Sequence, residues 1–315
     1  AAEKDGGEEK LTKVTLNEVA HSIFYAPQYV AIEEGYFSEE GLDLTLVTGF
    51  GADKTMTAVI SGEADIGFMG AEASVYAYQE GATDPVVNFA QLTQRAGNFL
   101  VAREEMPDFK WEDLKGEKVL GGRKGGMPEM VFEYILKKNG IDPQKDLTID
   151  QSIDFGSTAA AFTGDDSAAY TVEFEPSATI LEKEGAGYVV ASLGEASGYV
   201  PYTSYSAKAS YMKENPEIIQ KFTDALQKGM DYVQSHTPEE IAEVIAPQFK
   251  ETDLETITAI VKRYYDQDTW KENLIFEKDS FELLQDILED AGELTDRTAY
   301  EDLVQTEYAQ KACES

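Results

Sequence analysis

Two loops near the amino terminus carry groups suited to holding a small molecule. Ser22-Ile23-Phe24-Tyr25 places two aromatic rings beside a hydroxyl group, and rings of this kind can stack on a planar solute. Gly49-Phe50-Gly51-Ala52 precedes a predicted helix, whose first N–H groups favour a negatively charged atom. The rings could instead staple the following helix, and Asp53 fits an N-cap. The candidate ligand-binding residues here are Ser22, Phe24, Tyr25, Gly51 and Ala52.

A third polar run, residues 91–98, lies between two apolar segments that are predicted as strands. Gln91, Thr93 and Asn98 can each donate and accept hydrogen bonds, whereas Arg95 could clamp an anion or form a salt bridge within the protein. Polar residues between apolar strands are typical of a cavity lining. Gln91, Thr93 and Arg95 therefore join the candidate ligand-binding residues.

Residues suited to catalysis are scarce. Cys313 is the only cysteine, which excludes an intramolecular disulfide and a cysteine metal cluster. His21 and His236 are the only histidines, and their separation disfavours a zinc site or an acid–base relay. The sequence therefore predicts a binding protein that is not an enzyme and uses no cofactor and no metal.

Composition narrows the classes of partner. The chain has 315 residues, enough for two α/β domains with separate cores. Its 60 acidic and 26 basic residues give a net charge of −34, which repels nucleic acid and anionic lipid. No apolar run approaches the ~18 residues that span a bilayer. We expect a globular monomer that binds no nucleic acid.

Strands and helices alternate around the first two loops. Val14–Val19, Leu42–Val47 and Ala64–Met69 are predicted as strands, and Ala26–Glu34 and Lys54–Ser61 as the helices between them. This order favours a parallel sheet, in which ligands bind beyond the carboxyl ends of the strands. The rings and glycines named above stand at those ends.

Several runs of the sequence resemble a known family. The run APQYVAIEEGYFSEEGLDLTLV at 26–47 and the run SGEADIG at 61–67 look like the substrate-binding proteins of ABC importers, as do Trp111–Val119, Glu175-Pro176 and Tyr211–Phe222. The branch is the one that serves nitrate, sulfonates, taurine and thiamine-precursor pyrimidines, within the type II periplasmic binding protein superfamily. The resemblance covers roughly residues 11–295.

The resemblance implies two doubly wound α/β lobes joined by a hinge of two chain crossings. The first lobe would comprise residues 11–103 and 205–315, and the second lobe residues 104–204. Residues 1–10 would form a flexible polar leader. That leader suggests the tether of an extracytoplasmic lipoprotein whose lipidated cysteine stood upstream; a free cytosolic terminus is the alternative. Pockets between lobes favour ligands, and hinge closure around them is a known switch.

Further ligand loops follow from the same resemblance. In the first lobe, Gly70-Ala71-Glu72 occupies a ligand-contacting position, and Glu72 departs from the small or hydroxyl residues that the family has there. A buried carboxylate needs a partner, either a nitrogen donor on the solute or Arg95; an exposed first-turn glutamate is the alternative. The candidates added here are Gly70, Ala71 and Glu72.

The second lobe would contribute two loops. The run Gly121–Glu129 resembles the family's anion loop, but Pro128 removes one N–H donor and Met127 suits an apolar or aromatic solute. The run Tyr170–Pro176 is similar to the strand end where the family often has Trp-Glu-Pro. There Glu173 or Glu175 could accept from an amine, or Glu175 could cap a helix. The candidates are Gly125, Gly126, Met127, Tyr170, Glu173 and Phe174.

These departures indicate an aromatic, nitrogen-bearing solute such as a thiamine-precursor pyrimidine, delivered to the transmembrane permease subunits of an ABC importer. A sulfonate, taurine or nitrate is the alternative solute. The fungal thiamine-pyrimidine synthases share the fold but use a cysteine-rich motif with iron, which this chain lacks. A sensor domain with the same cleft is the remaining class.

Overall fold

The protein, described here from a computed structural model, is defined over residues 10–314. All of the predicted leader except Lys10 lies outside the described residues. Ten strands in that range form two five-stranded sheets. In chain order they are β1 (Thr12–Glu18), β2 (Leu42–Thr48), β3 (Ile66–Met69), β4 (Val86–Thr93), β5 (Phe99–Ala102), β6 (Lys118–Leu120), β7 (Thr148–Asp150), β8 (Tyr170–Glu173), β9 (Tyr188–Ser192) and β10 (Thr203–Lys208).

Helices cover both sheets. In chain order they are α1 (Ala26–Glu33), α2 (Tyr36–Glu39), α3 (Ala52–Ser61), α4 (Glu72–Gln79), α5 (Met127–Lys138), α6 (Phe155–Gly164), α7 (Ser177–Lys183), α8 (Leu193–Ser197), α9 (Ala209–Glu214), α10 (Pro216–Ser235), α11 (Pro238–Ile245), α12 (Leu254–Asp266), α13 (Lys278–Asp290), α14 (Tyr300–Leu303) and α15 (Glu307–Glu314). None of the helices in residues 10–314 combines the length and the apolar character needed to cross a bilayer.

The first sheet has the strand order β2-β1-β3-β10-β4. β1 pairs in parallel with β2 and β3, which confirms the predicted parallel βαβαβ unit. β10 runs antiparallel to β3 and β4 because the chain re-enters this sheet from the other one. Every residue of β4 is buried although it is the last strand in that order, since the chain near Leu274 pairs along its outer edge. We call this sheet and its helices the first lobe.

The second sheet has the order β7-β6-β8-β5-β9, with β6 parallel to β7 and β8 and with β5 antiparallel to both of its neighbours. We call this sheet and its helices the second lobe. The two α/β layers confirm the predicted fold class. One apolar cluster runs through both, from Leu16 in β1 to Val172 in β8 and Phe222 in α10.

The predicted lobe boundary needs one correction. The fifth strand was predicted in the first lobe, with a crossing near residue 103, but Phe99–Ala102 pairs with β8 and β9 of the second sheet. The crossing segments are therefore residues 94–98 and 193–202. A four-residue apolar strand fits either sheet, and its periodicity carries no information about which one it joins. The rest of the proposed lobe division stays a prediction.

Candidate ligand-binding site

Loops from the two lobes meet at the carboxyl ends of their strands. Tyr76 Oη, in α4 of the first lobe, donates to the Gly125 carbonyl oxygen at 2.9 Å in the loop before α5. Ser22 Oγ, after β1, donates to the Glu175 carbonyl oxygen at 3.4 Å, after β8. We call the region where these loops meet the cleft. It lies where parallel strands and helix amino termini favour ligand binding.

Glu72 is the buried acid of the cleft. It begins α4, its side chain is only 5% exposed, and its Oε2 has no hydrogen-bond partner in residues 10–314. Burial raises the pKa of the Glu72 carboxyl to about 7, although the backbone N–H groups of Glu72 and Met127 act in the opposite direction. Gly70 makes room for it, since a methyl group there would overlap the carboxylate. The exposed first-turn alternative is therefore wrong.

Two tyrosines lie near this acid. Tyr25 and Tyr202 are both buried; burial raises the pKa of each hydroxyl, and the negative charge of Glu72 raises it further. The Tyr25 ring packs edge-on against Phe68, with ring centroids 4.5 Å apart. Sequence reasoning missed Tyr202, which lies in the crossing segment just before β10. The signal available was its position at the return crossover.

Phe24 packs within an aromatic cluster, with its ring 5.2 Å from that of Tyr25. It is fully buried, its ring lies 5.5 Å from Tyr202 and 5.3 Å from Tyr264, and its carbonyl oxygen accepts from Trp270 Nε1 at 2.7 Å. A Cβ at Gly97 would lie 2.8 Å from the Phe24 ring. These contacts fit packing beneath a crossing segment, and a ligand role for Phe24 stays a prediction.

The polar run 91–98 begins in the last residues of β4 and continues into a crossing segment. Gln91 Nε2 donates to the Thr93 carbonyl oxygen at 2.9 Å, whereas Gln91 Oε1 has no partner among the described residues. Thr93 Oγ1 accepts from the Thr203 backbone N–H at 3.0 Å. The buried Asn98 keeps its Nδ2 unpartnered within the same range. Gln91 and Asn98 thus retain hydrogen-bonding capacity for a bound molecule.

Arg95 belongs to the crossing segments. Its Nη1 donates to the Gly194 carbonyl oxygen at 2.9 Å, and its guanidinium carbon lies 4.3 Å from the centre of the Tyr199 ring. These contacts tie the segment 94–98 to the segment 193–202. The idea that Arg95 neutralises Glu72 gains no support, because the described contacts of Arg95 are with the crossing segment.

Two parts of the second lobe contribute candidate residues: the loop before α5 and the end of β8. Gly125 and Gly126 lead into α5 at Met127, which is 2% exposed. Glu173 ends β8, accepts from Thr171 Oγ1 at 2.7 Å, and has its pKa raised to about 7 by burial. Phe174 packs edge-on against another ring of that lobe.

Tyr170 lies away from the meeting loops. It begins β8, so it stands at the opposite end of the strand from the cleft, and its hydroxyl contacts Met106 Sδ at 3.2 Å.

Gly51 and Ala52 follow the carboxyl end of β2, on the same edge of the first sheet as the loop after β1. The Gly51 N–H donates to the Val19 carbonyl oxygen at 3.1 Å, and Ala52 begins α3. A ligand role for these two residues stays a prediction.

A buried network behind Tyr25 was also missed. Glu18, at the end of β1, is fully buried and accepts from His21 Nδ1 at 2.8 Å. His21 Nε2 lies 2.9 Å from the Gln248 carbonyl oxygen, so both ring nitrogens face acceptors. Burial lowers the pKa of His21, but the hydrogen bond with Glu18 and its charge outweigh burial and raise it. An imidazolium therefore fits this position.

Arg263 of α12 links the C-terminal part of the chain to the second lobe. Its Nη1 lies 3.3 Å from Glu175 Oε1, and its Nη2 lies 2.9 Å from Glu182 Oε1. Glu175 is 2% exposed; burial raises its pKa to about 7 despite Thr179 and Arg263. Of the buried glutamates Glu72, Glu173 and Glu175, only Glu175 has an arginine partner in residues 10–314.

Two α/β lobes with paired crossings have the periplasmic binding protein fold. Solved structures show the same fold. The ligand-binding component of an ABC-type import system from Staphylococcus aureus has a TM-score of 0.77 at 14% identity, covering 96% of this chain and 100% of that one. The alkanesulfonate-binding protein SsuA from Xanthomonas axonopodis has a TM-score of 0.74 at 15% identity, covering 94% and 99%.

The chain belongs to the NMT1/THI5-like family, whose model matches residues 23–241. YtlA of Bacillus subtilis, whose name assigns it provisionally to the binding proteins, is 48% identical over 304 residues, covering 96% of this chain and 91% of YtlA. The riboflavin-binding protein RibY of Chloroflexus aurantiacus is 25% identical, covering 73% of this chain and 65% of RibY. A 4-amino-5-hydroxymethyl-2-methylpyrimidine phosphate synthase of Saccharomyces cerevisiae is 24% identical, covering 67% and 63%. The predicted family resemblance is confirmed.

Proposed function

We propose that the protein is an extracytoplasmic solute-binding protein that delivers a small aromatic, nitrogen-bearing solute to the permease subunits of an ABC importer. Its family and fold support the binding role, as does the name of YtlA. RibY and the yeast synthase are both named for planar nitrogen heterocycles. An aminopyrimidine of the thiamine-precursor type is therefore the first solute to test.

The buried, unpartnered oxygen of Glu72 is the observation that supports a nitrogen-bearing solute. A buried carboxylate oxygen without a partner costs free energy unless a donor meets it, and an amine or amidine on the solute supplies such a donor. Tyr25 and Tyr202 offer apolar ring surface beside it, while Gln91 and Asn98 supply an acceptor and a donor. Glu173 adds an acceptor from the second lobe.

The competing solutes differ in charge. An oxyanion such as a sulfonate would meet the buried carboxyl groups of Glu72 and Glu173. Arg263 is already paired with Glu175 and Glu182, and Arg95 directs its Nη1 at the Gly194 carbonyl oxygen of the crossing segment, although its Nε has no partner among the described residues. Like-charge contact in a closed cleft is costly. The synthase alternative gains no support either, since the described residues contain no cluster of histidine, cysteine and acidic side chains suited to a metal ion.

Titration calorimetry separates these possibilities. We expect 4-amino-5-hydroxymethyl-2-methylpyrimidine to release heat with one-to-one stoichiometry and taurine to give none. Native mass spectrometry of freshly purified protein should show a mass above that of the chain wherever the cleft has retained its solute. Heat with taurine alone would overturn the proposed solute class, and conversion of the pyrimidine to a product would overturn the binding role.

A further inference from the structure

The amino terminus of α5 lacks a cap from its own loop. α5 has 12 residues, begins at Met127 and has no side-chain hydrogen bond at Gly126, its N-cap residue. Pro128 has no N–H, and Glu129 Oε2 accepts from the Gly125 N–H at 3.2 Å, one residue before the N-cap. Glu129 is a buried acid of the first turn, but no side chain of the loop caps the first N–H groups of α5. Uncapped N–H groups at a helix start ordinarily attract an anion.

Glu72 of the opposite lobe begins a helix that packs against the loop before α5. Its carboxylate is close enough to the Met127 N–H for that group to act on it, although Glu72 begins α4. The side chain is 5% exposed, and Oε2 keeps one unpartnered side within the described chain. Tyr76, one turn later in α4, donates to the Gly125 carbonyl oxygen at 2.9 Å and holds the two elements together. An acid of the protein thus stands where a bound anion would otherwise stand.

We infer that Glu72 is the specificity-determining residue of the cleft: it occupies the anion position at the start of α5 and presents its free oxygen to a ligand N–H donor. This inference rests on the proposed binding function and goes further, because it assigns the choice between oxyanions and nitrogen donors to one side chain. Removal of the carboxylate frees the Met127 N–H for an external anion, and the nitrogen donor of the ligand loses its acceptor. The exchange of one ligand class for the other follows from the same change.

The test compares Glu72→Ser and Glu72→Gln with Glu239→Ser. Glu239 is a matched control because it is an exposed first-turn glutamate of α11. The probes are 4-amino-5-hydroxymethyl-2-methylpyrimidine and methanesulfonate, titrated by calorimetry. In Glu72→Ser the pyrimidine should bind about 10- to 100-fold more weakly, the range for one hydrogen bond to a charged group. Methanesulfonate should bind to Glu72→Ser and not to the unchanged protein or to the control.

Glu72→Gln separates charge from shape, since the amide keeps the length of the side chain but loses its charge. It should weaken pyrimidine binding and admit no methanesulfonate. Pyrimidine affinity in Glu72→Ser within about threefold of the unchanged protein, with no binding of methanesulfonate, would overturn the inference.

A second measurement does not depend on the pyrimidine. Amide hydrogen exchange in residues 127–131 should be faster in Glu72→Ser than in the unchanged protein, and methanesulfonate should slow it again in that variant alone. If the pyrimidine binds neither form while this exchange pattern holds, the proposed solute is wrong and the role of Glu72 stands. Equal exchange in both forms would overturn the role of Glu72.

Discussion

Replacement of Glu18 with alanine should lower the free energy of unfolding by about 3–5 kcal/mol, the usual effect of removing one partner from a buried charged network. Glu18 Oε1 accepts from Gln28 Nε2 at 2.9 Å and from Tyr29 Oη at 2.7 Å, and Oε2 accepts from Thr48 Oγ1 and His21 Nδ1, both at 2.8 Å. Alanine leaves these four donors without their acceptor, and two of them, on Gln28 and Tyr29, are fully buried.

Urea denaturation followed by circular dichroism measures this loss. Glu63→Ala is the matched control, because Glu63 is exposed in the turn before β3 and should change the free energy by less than about 0.5 kcal/mol. Equal midpoints for Glu18→Ala and the unchanged protein would contradict the network as described. Glu18→Gln should fall between the two, since one amide oxygen can still accept from Tyr29 and Gln28.

Stability should fall as the pH rises from about 4.5 to about 8. Burial raises the pKa of Glu72, Glu173 and Glu175 from 4.5 to about 7. A carboxyl with a raised folded pKa binds its proton more tightly in the folded state, so its contribution is complete below 4.5 and is lost as the pH passes through 7. Each group contributes up to about 3 kcal/mol over this interval. His21 acts in the same direction, because its pKa is also raised.

The opposite trend should set in at lower pH. The pKa of Asp84, Asp150 and Asp253 is lowered chiefly by hydrogen bonds to these carboxylates, so their contribution disappears when they become protonated below about pH 4. Thermal unfolding between about pH 3 and pH 9 should therefore show a maximum at about pH 4. Glu72→Gln should flatten the decline above it, whereas a melting temperature that rises steadily to pH 8 would contradict the burial of these acids.

The fold could be predicted from the sequence where the local pattern of apolar residues matches the observed strands and helices. The alternation of strands and helices predicted β1 to β3 and their parallel pairing, which the structure confirms. The pattern could not show which sheet β5 joins, because a four-residue apolar strand fits either sheet equally well. The placement of Tyr170 has a related explanation. The motif Tyr170–Pro176 marks the carboxyl end of β8, whereas Tyr170 lies at the amino end of that strand.

Side-chain direction explains the remaining differences in the cleft. Phe24 and Tyr25 are adjacent and similar, yet one packs under a crossing segment and the other lies near Glu72. Only tertiary contacts make that distinction. Glu18 was missed because it ends an ordinary strand pattern; a charged residue in a buried strand three positions before His21 was the available signal. Glu72 was found because its type departs from the expected small residue.

The distance between the lobes tests the central claim most directly. Cys313 is exposed and is the only cysteine, so Cys313→Ser permits spin labels at Lys54→Cys near the start of α3 and Lys124→Cys before α5. Double electron–electron resonance would then give the distribution of distances between the two spin labels, one on each lobe. Saturating 4-amino-5-hydroxymethyl-2-methylpyrimidine should shorten and narrow that distribution, as closure of two lobes on a solute requires. An identical distribution with and without the pyrimidine would contradict the account.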